Sequence, residues 1–205
     1  MTINRDFFFD HLREKLFPNG LVQSQLDGHN ALLDAWEKEY AGEDDRWLAY
    51  ILATAYHESA HTMQPVRETL ANSDLQAAQR LEAAWKAGKL RWVHDPYWRQ
   101  DASGNFWFGR GLVQLTFKTN YQKLGHAIGV NLVANPALAL TMTVAIDVIF
   151  YGMLNGSFTG HKLANYFNRS TADWVNARKI INGLDRADAI AGYGRGYYAA
   201  LSYTV

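Results

Sequence analysis

Residues 55–61 hold the side chains with the clearest capacity for chemistry, because Glu58 lies between His57 and His61 in a stretch that is otherwise largely apolar. Two chemistries fit this arrangement. In the first, both histidines bind zinc from one face of a helix and Glu58 is the general base of a peptidase. In the second, Glu58 is a general acid that protonates a leaving oxygen and needs no metal. The neighbouring residues bear on the choice.

The zinc hypothesis needs a third protein ligand and a helix that carries both histidines. The extended zinc motif would require glycine and histidine at the positions of Gln64 and Arg67, so that version fails. A distant ligand such as Glu82 keeps a weaker version open. Pro65 shortens the supporting helix, because proline cannot lie in a helix interior. A zinc peptidase is therefore a secondary alternative, and we predict no metal and no cofactor.

A pair of carboxylates is the competing arrangement. Glu68 follows Glu58 by ten residues, beyond the turn expected at Pro65. Inverting glycosidases place two carboxyl groups about 6.5–9.5 Å apart, one to protonate the leaving oxygen and one to activate water. A glutamate at the end of a buried helix and another on the following loop could meet this demand. From spacing alone, Glu68 could equally be a solvated carboxylate paired with a neighbouring cation.

The elements that must position these residues are predicted to be helices. The run 47–53 is apolar on nearly every face, which is typical of a buried helix. We expect this helix to carry Glu58 near its C-terminal end and to end between Ala60 and Gln64, ahead of Pro65. Residues 91–110 mix aromatic and turn-forming residues and are predicted to form a loop or short hairpin. The other helices are predicted near residues 8–16, 26–40, 74–87, 119–128, 143–154, 160–167, 171–181 and 186–202.

The composition restricts the functional class. A chain of 205 residues with 48% hydrophobic content predicts a single domain over 1–205, with an N-terminal helical part at 1–42 and a core at 43–205. Lys and Arg balance Asp and Glu at 20 each, so nucleic acid is not an expected partner. The absence of cysteine excludes disulfides. Neither a signal peptide nor an apolar run of roughly 20 residues is evident, so we expect no membrane insertion.

Three segments resemble glycoside hydrolase family 19, the chitinase group, and within it the phage endolysins that cut bacterial peptidoglycan. The segment 57–59, His-Glu-Ser, is similar to the family's His-Glu-Thr/Ser. The segment 108–116, Phe-Gly-Arg-Gly-Leu-Val-Gln-Leu-Thr, followed by Asn120 and Tyr121, resembles its Gly-Arg-Gly-x-x-Gln-Leu-Ser/Thr segment and trailing Asn-Tyr. The segment 180–183, Ile-Ile-Asn-Gly, resembles its Ile-Asn-Gly. The three occur in the family's order.

The resemblance implies a mainly α-helical, lysozyme-like domain with two lobes around a substrate cleft. It implies that Glu58 is the catalytic acid, that Glu68 is the base, and that Thr116 helps to hold the attacking water. Aromatic faces for sugar rings could come from residues near 92–107, and Arg110 could instead pin a carboxylate in the cleft wall. The predicted substrate-binding residues are His57, Gln114, Asn120, Tyr121, Asn182, Trp107 and Arg110.

The predicted function is that of an endolysin-type muramidase, which hydrolyses β-1,4 bonds in peptidoglycan glycan strands by a metal-independent inverting mechanism. The expected protein is a monomer that stays in the host cytoplasm until a membrane pore admits it to the wall. Three alternatives remain open: a chitinase of the same fold, a zinc peptidase using His57 and His61, and a non-catalytic sugar-binding module.

Overall fold

The computed structural model of the protein describes residues 2–202, and most of its regular structure is helical. Two short antiparallel strand pairs join β1 (Val66–Arg67) to β2 (Arg110–Gly111) and β3 (Phe167–Asn168) to β4 (Thr171–Ala172). The predicted mainly α-helical fold class is confirmed. The α-helices of the described residues are α1 (Arg5–Lys15), α2 (Gln23–Glu39), α3 (Asp45–Glu58), α4 (Asp74–Lys86), α5 (Lys118–Ala127), α6 (Met142–Asn155) and α7 (Ala187–Leu201).

The chain divides into two compact units. Unit 1 contains residues 2–64 and 149–202 of the described chain, and unit 2 contains residues 65–148. The predicted N-terminal part, 1–42, contributes α1 and α2 to unit 1, which also contains α3 and α7. The predicted single domain also included residue 1 and residues 203–205, which lie outside the described part of the chain. Within residues 2–202, no helix is long and apolar enough to cross a membrane.

Helix α3 is the centre of unit 1 and the element that carries Glu58. Every residue from 48 to 56 is buried, and the helix packs mainly against α7. Its first turn is capped by Asp44, whose carboxylate accepts a hydrogen bond from the Arg46 amide at 3.0 Å. The helix ends at Glu58, which is earlier than the predicted exit between residues 60 and 64. Ala60 and His61 have φ angles of 51° and 68°, and these left-handed conformations cannot continue a helix.

The turn after α3 is held by the N-terminal half of α2. The Gln25 side chain donates from Nε2 to the His61 carbonyl at 2.9 Å. Gly28 allows the two segments to approach closely, because a Cβ at this position would lie 2.0 Å from the carbonyl oxygen of Met63. The Met63 amide in turn donates to Oγ of Ser59 at 3.0 Å. The backbone that follows Glu58 is therefore fixed by tertiary contacts.

Two predicted helices, at residues 160–167 and 171–181, are wrong. The structure has short 3₁₀ turns at Leu163–Asn165 and Asn176–Ile180, with the β3–β4 pair between them. Side chains at the start of α3 bind backbone carbonyl groups of this region that a continuous helix would need for its own hydrogen bonds. The Arg46 guanidinium donates to the carbonyls of Asn168 at 2.9 Å and Thr171 at 3.1 Å, and Trp47 donates to the carbonyl of Phe167 at 3.0 Å. These long-range bonds outweigh the local helical periodicity.

Unit 2 is organised around aromatic residues that the loop at 91–110 contributes to its core. Trp98 and Phe108 are fully buried and pack with Ala77 and Leu81 of α4. No regular element of the described structure begins between residues 87 and 109, so the predicted loop is confirmed for that stretch. The loop ends where Arg110 pairs with Arg67 in the β1–β2 ladder.

A buried histidine links α2 to α7 in unit 1. His29 is fully buried, with Nδ1 2.7 Å from the Gln25 carbonyl and Nε2 2.9 Å from the hydroxyl of Tyr197. A carbonyl can only accept, so Nδ1 carries the proton and Nε2 accepts from the tyrosine. Burial lowers the pKa of His29 to about 4, against the opposing effect of the hydrogen bond to Gln25. The neutral ring is thus the folded-state form.

We predict that acid destabilises the fold through His29. Between pH 6.5 and pH 4 the unfolded chain binds a proton that the folded chain excludes, so stabilisation present above pH 6.5 is lost as the pH falls. The loss approaches about 3 kcal/mol near pH 4. Urea unfolding at pH 7 and pH 4.5 measures it, with His29→Gln as the matched variant. An equally steep pH dependence in the variant would contradict the prediction.

Candidate functional site

Glu58 is held by an arginine that the sequence did not reveal. Arg178 donates from Nη1 to Oε1 of Glu58 at 2.7 Å, and the two side chains are 4% and 15% exposed. The Arg178 Nε donates to the Asp185 carbonyl at 3.0 Å, which fixes the guanidinium. Among the described residues, Oε2 of Glu58 has no hydrogen-bond partner. The only sequence signal for Arg178 is its place four residues before Asn182 of the third motif.

His57 is half-buried beside Glu58 at the end of α3. Burial lowers the pKa of His57 below its ordinary value, the Glu58 charge opposes this, and the Arg178 charge adds to it. The imidazole is therefore neutral at pH 7 and offers one donor and one acceptor. Such a group can exchange a hydrogen bond with a sugar hydroxyl, and the sugar contact of His57 stays a prediction.

His61 does not share a helix face with His57. It lies beyond the end of α3 in a left-handed conformation, and its ring stacks on Tyr56 with centroids 4.0 Å apart and planes 5° from parallel. The H-E-x-x-H zinc geometry requires both rings on one helical turn. In the described part of the chain, no group of three or more His, Cys, Asp or Glu side chains is placed to hold a metal ion.

Glu68 is half-buried in unit 2, directly after β1. Its amide donates to the Gly109 carbonyl at 2.7 Å, which extends the β1–β2 ladder by one residue. Its side chain accepts two hydrogen bonds, from the Tyr97 hydroxyl to Oε1 at 2.7 Å and from the Gly109 amide to Oε2 at 2.8 Å. The carboxylate is thus held at both oxygens. The sequence suggested Tyr97 only as a sugar-stacking face.

The Gly-Arg-Gly segment packs so closely that side chains are excluded at both glycines. A Cβ on Gly109 would lie 2.7 Å from Oε1 of Gln114. Gly111 has a φ of 91°, and a Cβ there would lie 2.9 Å from the Ala139 carbonyl oxygen. The Gln114 amide nitrogen donates to the carbonyls of Val66 at 3.1 Å and Gly111 at 3.3 Å. Gln114 therefore supports the strand pair as well as being a predicted sugar contact.

Thr116 and Asn120 form a short chain of hydrogen bonds after β2. The Thr116 hydroxyl donates to the Gln114 carbonyl at 2.8 Å, and Nδ2 of Asn120 donates to the Thr116 carbonyl at 2.8 Å. Both residues are half-buried. The hydroxyl oxygen of Thr116 keeps its capacity to accept a hydrogen bond from water. This arrangement is compatible with the role that the resemblance implies for Thr116.

Arg110 and Tyr121 lie in the interior of unit 2. The Arg110 side chain is 0% exposed and donates to Asp74 at 2.7 Å and to the Tyr121 hydroxyl at 2.9 Å. Tyr121 is fully buried and donates to the Phe108 carbonyl at 2.9 Å. A sugar reaches neither side chain in this conformation. The alternative prediction, in which Arg110 pins a carboxylate, describes the observed contacts.

The remaining predicted binding residues differ in accessibility. Trp107 is 6% exposed and donates from its indole nitrogen to Asp101 at 3.0 Å, so little of its face is available for stacking. Asn182 is exposed, and its backbone amide donates to the Arg178 carbonyl at 3.0 Å, so the third motif and the arginine on Glu58 belong to one segment. Trp92 and Phe117 are the more exposed aromatic side chains, at 72% and 50%.

Known proteins match part of this sequence. Residues 87–178 match the glycoside hydrolase family 19 model, described as chitinase class I. Chitinase 2 of Oryza sativa subsp. japonica is 34% identical over 97 residues, which is 47% of this chain and 25% of the relative. Acidic endochitinase Q of Nicotiana tabacum is 49% identical over 43 residues, 21% of this chain and 17% of the relative. The chain therefore spans a quarter or less of the curated relatives it matches.

Solved structures match the whole chain at lower identity. Chitinase C from Streptomyces griseus aligns with a TM-score of 0.57 and 18% identity over 99% of this chain and 94% of the other. A bacterial family 19 chitinase aligns with a TM-score of 0.54 and 19% identity over 100% and 97%. In fold, the chain is similar to these family 19 chitinases. The likeness to family 19 found in the sequence motifs is thus accompanied by a likeness in fold.

We predict that Asp74 supports the fold of unit 2 rather than sugar binding. Burial acts to raise the pKa of Asp74, but hydrogen bonds from Arg67 and Arg110 outweigh it and place the pKa below its ordinary value. The variant Asp74→Asn leaves the buried Arg110 without a counter-charge, and we expect a loss of about 3–5 kcal/mol in the free energy of unfolding. The exposed Asp95→Asn is the control. Equal stability of both variants would contradict the structural role.

Proposed function

We propose that the chain is a glycoside hydrolase that cleaves β-1,4 bonds between N-acetylated amino sugars by a metal-independent inverting mechanism. The observation that carries this proposal is the state of the two carboxyl groups that match the family's acid and base. Glu58 and Glu68 are each held by hydrogen bonds from other side chains, with Arg178 on the first and Tyr97 on the second. Such support is typical of reactive carboxyl groups that must keep one orientation.

In the proposed reaction Glu58 is the acid. Its Oε2, which has no partner among the described residues, carries the proton to the glycosidic oxygen as the bond from that oxygen to the anomeric carbon breaks. Arg178 binds Oε1, so the second oxygen is left to carry the proton. The proton that Glu58 gives up becomes part of the hydroxyl group on the leaving sugar.

Glu68 is the proposed base. It removes a proton from a water molecule whose oxygen attacks the anomeric carbon on the face opposite to the leaving group, so the configuration inverts. Thr116 accepts a hydrogen bond from that water. The mechanism requires the two carboxyl groups to stand about 6.5–9.5 Å apart in the complex with substrate. His57, Gln114, Asn120 and Asn182 are the proposed contacts to hydroxyl and N-acetyl groups.

Peptidoglycan is the proposed substrate. The resemblance of the sequence motifs to those of phage endolysins, given above as an expectation, favours this choice. Unit 2 also carries nine Lys and Arg against six Asp and Glu, and a net positive charge favours glycan strands that bear carboxylates over neutral polymers. We further propose that the protein is a monomer and that it remains in the host cytoplasm until lysis.

Chitin is the second candidate substrate, because the matched relatives are named as chitinases.

We predict that Glu58→Gln lowers the turnover by about 10²–10⁴-fold, because the amide cannot donate the proton. Glu68→Gln should cause a similar loss, whereas the exposed Glu43→Gln should match the wild type. Mass spectrometry of digested peptidoglycan and of chitin oligomers measures bond choice and rate together. Disaccharide units from peptidoglycan support the proposed substrate, and cleavage of chitin oligomers alone supports the second candidate.

Each part of this proposal has its own contrary outcome. Release of peptides in place of saccharides would exclude a glycosidase. Binding of wall fragments by the wild type with no new reducing ends would indicate a sugar-binding module. Full activity of Glu68→Gln would contradict only the assignment of Glu68 as the base. The assignments of Glu58 as the acid and of the substrate would be unaffected.

We predict that removal of divalent metal leaves the activity unchanged. Neither acid nor base in the proposed mechanism uses a metal, and His61 lies beyond the end of α3, off the helical turn that carries His57. Activity in a chelator should equal that of untreated protein, and His61→Ala should retain most of it. If chelation abolished activity and added zinc restored it, a zinc peptidase would replace the glycosidase.

A further inference from the structure

Tyr97 holds Glu68 but has no role of its own in the proposed reaction. Its hydroxyl donates to Oε1 of Glu68 at 2.7 Å, while the Gly109 amide donates to Oε2 at 2.8 Å. Two donors that bind different oxygens of one carboxylate fix both its position and the plane in which it lies. We propose that Tyr97 is the positioning residue for the base Glu68. This inference rests on the proposed function and adds to it a residue outside the motifs.

The tyrosine is itself rigidly supported. Its ring packs edge-on against Trp98 and Phe117, at centroid distances of 5.0 Å and 5.2 Å. Trp98 is fully buried and donates from its indole nitrogen to Glu82 at 2.9 Å, so this side of the support is anchored in the core of unit 2. A ring that is packed on two sides has a restricted orientation, so its hydroxyl group is held in one position. The donor is therefore prearranged before any substrate arrives.

The hydroxyl keeps its proton over the range in which an enzyme of this kind operates. Burial raises the pKa of Tyr97 well above its ordinary value, and the adjacent charge of Glu68 raises it further. Tyr97 is consequently a donor to the carboxylate and is not itself a competing base. The neutral hydroxyl can therefore hold the Glu68 carboxylate in place without competing with it for the proton of the attacking water.

Phe117 extends this support to the residue that holds water. It follows Thr116 directly, has a φ of 70°, and donates from its amide to the Trp107 carbonyl at 2.8 Å. Its ring meets Tyr97, so the backbone that carries Thr116 and the hydroxyl that holds Glu68 belong to one packed cluster. The spacing between the base and its water is thus controlled by Tyr97 and Phe117 together.

The variant Tyr97→Phe tests this inference because it removes the hydroxyl and keeps the ring. We expect kcat to fall roughly 10- to 100-fold, since small misplacement of a reacting group has an effect of this size. KM should stay within about twofold, because Tyr97 acts through Glu68 and not on the sugar. A loss that falls on kcat alone separates positioning of the base from loss of a sugar contact, which would raise KM.

The matched control is Tyr166→Phe, which removes another tyrosine hydroxyl bond, to Nδ1 of His161 at 2.9 Å in unit 1. Its kcat and KM should match those of the wild type. All variants are assayed on the polymer that the wild type cleaves, and thermal unfolding checks that each is folded. A folded Tyr97→Phe variant with wild-type kcat, or one whose loss falls on KM alone, would overturn the positioning role and leave the proposed function standing. A wild type that cleaves neither polymer would overturn both.

Discussion

The burial of α3 on all sides is the constraint on which unit 1 depends. A helix whose residues 48–56 are all enclosed can place a charged side chain only at its end, and Glu58 is that end residue. A carboxyl group so close to the core must be hydrogen-bonded, and Arg178 meets this need at 2.7 Å. The chain turns sharply after Glu58 through the left-handed residues Ala60 and His61, and α2 holds that turn.

Unit 2 also encloses a charged side chain, that of Arg110, and a network of hydrogen bonds pairs it. Arg110 is fully enclosed, and its partners are Asp74, Tyr121 and the carbonyl of Phe106. Buried ion pairs contribute little net stability, but they are strongly destabilising to break, so the network specifies one arrangement of β1, β2 and α4. That arrangement sets Gly109 against Glu68. The tight packing of the Gly-Arg-Gly motif therefore determines where the Glu68 carboxylate lies.

Residues with strained, positive-φ backbone conformations lie close in sequence to the residues with proposed chemical roles. Of the non-glycine residues with positive φ in the described chain, Ala60 and His61 follow Glu58, Thr69 and Leu70 follow Glu68, and Gln114 and Phe117 flank Thr116. Strained residues persist only where surrounding contacts hold them in place. Gln25, Gly28 and the Tyr97–Phe117 ring pair are the contacts that hold two of these three turns.

The sequence by itself determined the mainly helical class, the buried helix that carries Glu58, and the aromatic loop before Arg110, because periodicity and turn chemistry are local properties. It also determined the likeness to family 19, because the Gly109–Thr116 segment is long enough to be specific. The tertiary structure alone decided that residues 160–181 form 3₁₀ turns and a strand pair, since Arg46 and Trp47 bind carbonyls there from more than 100 residues away. It alone paired Glu58 with Arg178 and Glu68 with Tyr97. Hydrogen bonds between distant segments leave no periodic trace in a single chain, so the partners of the two carboxylates appear only once the chain has folded.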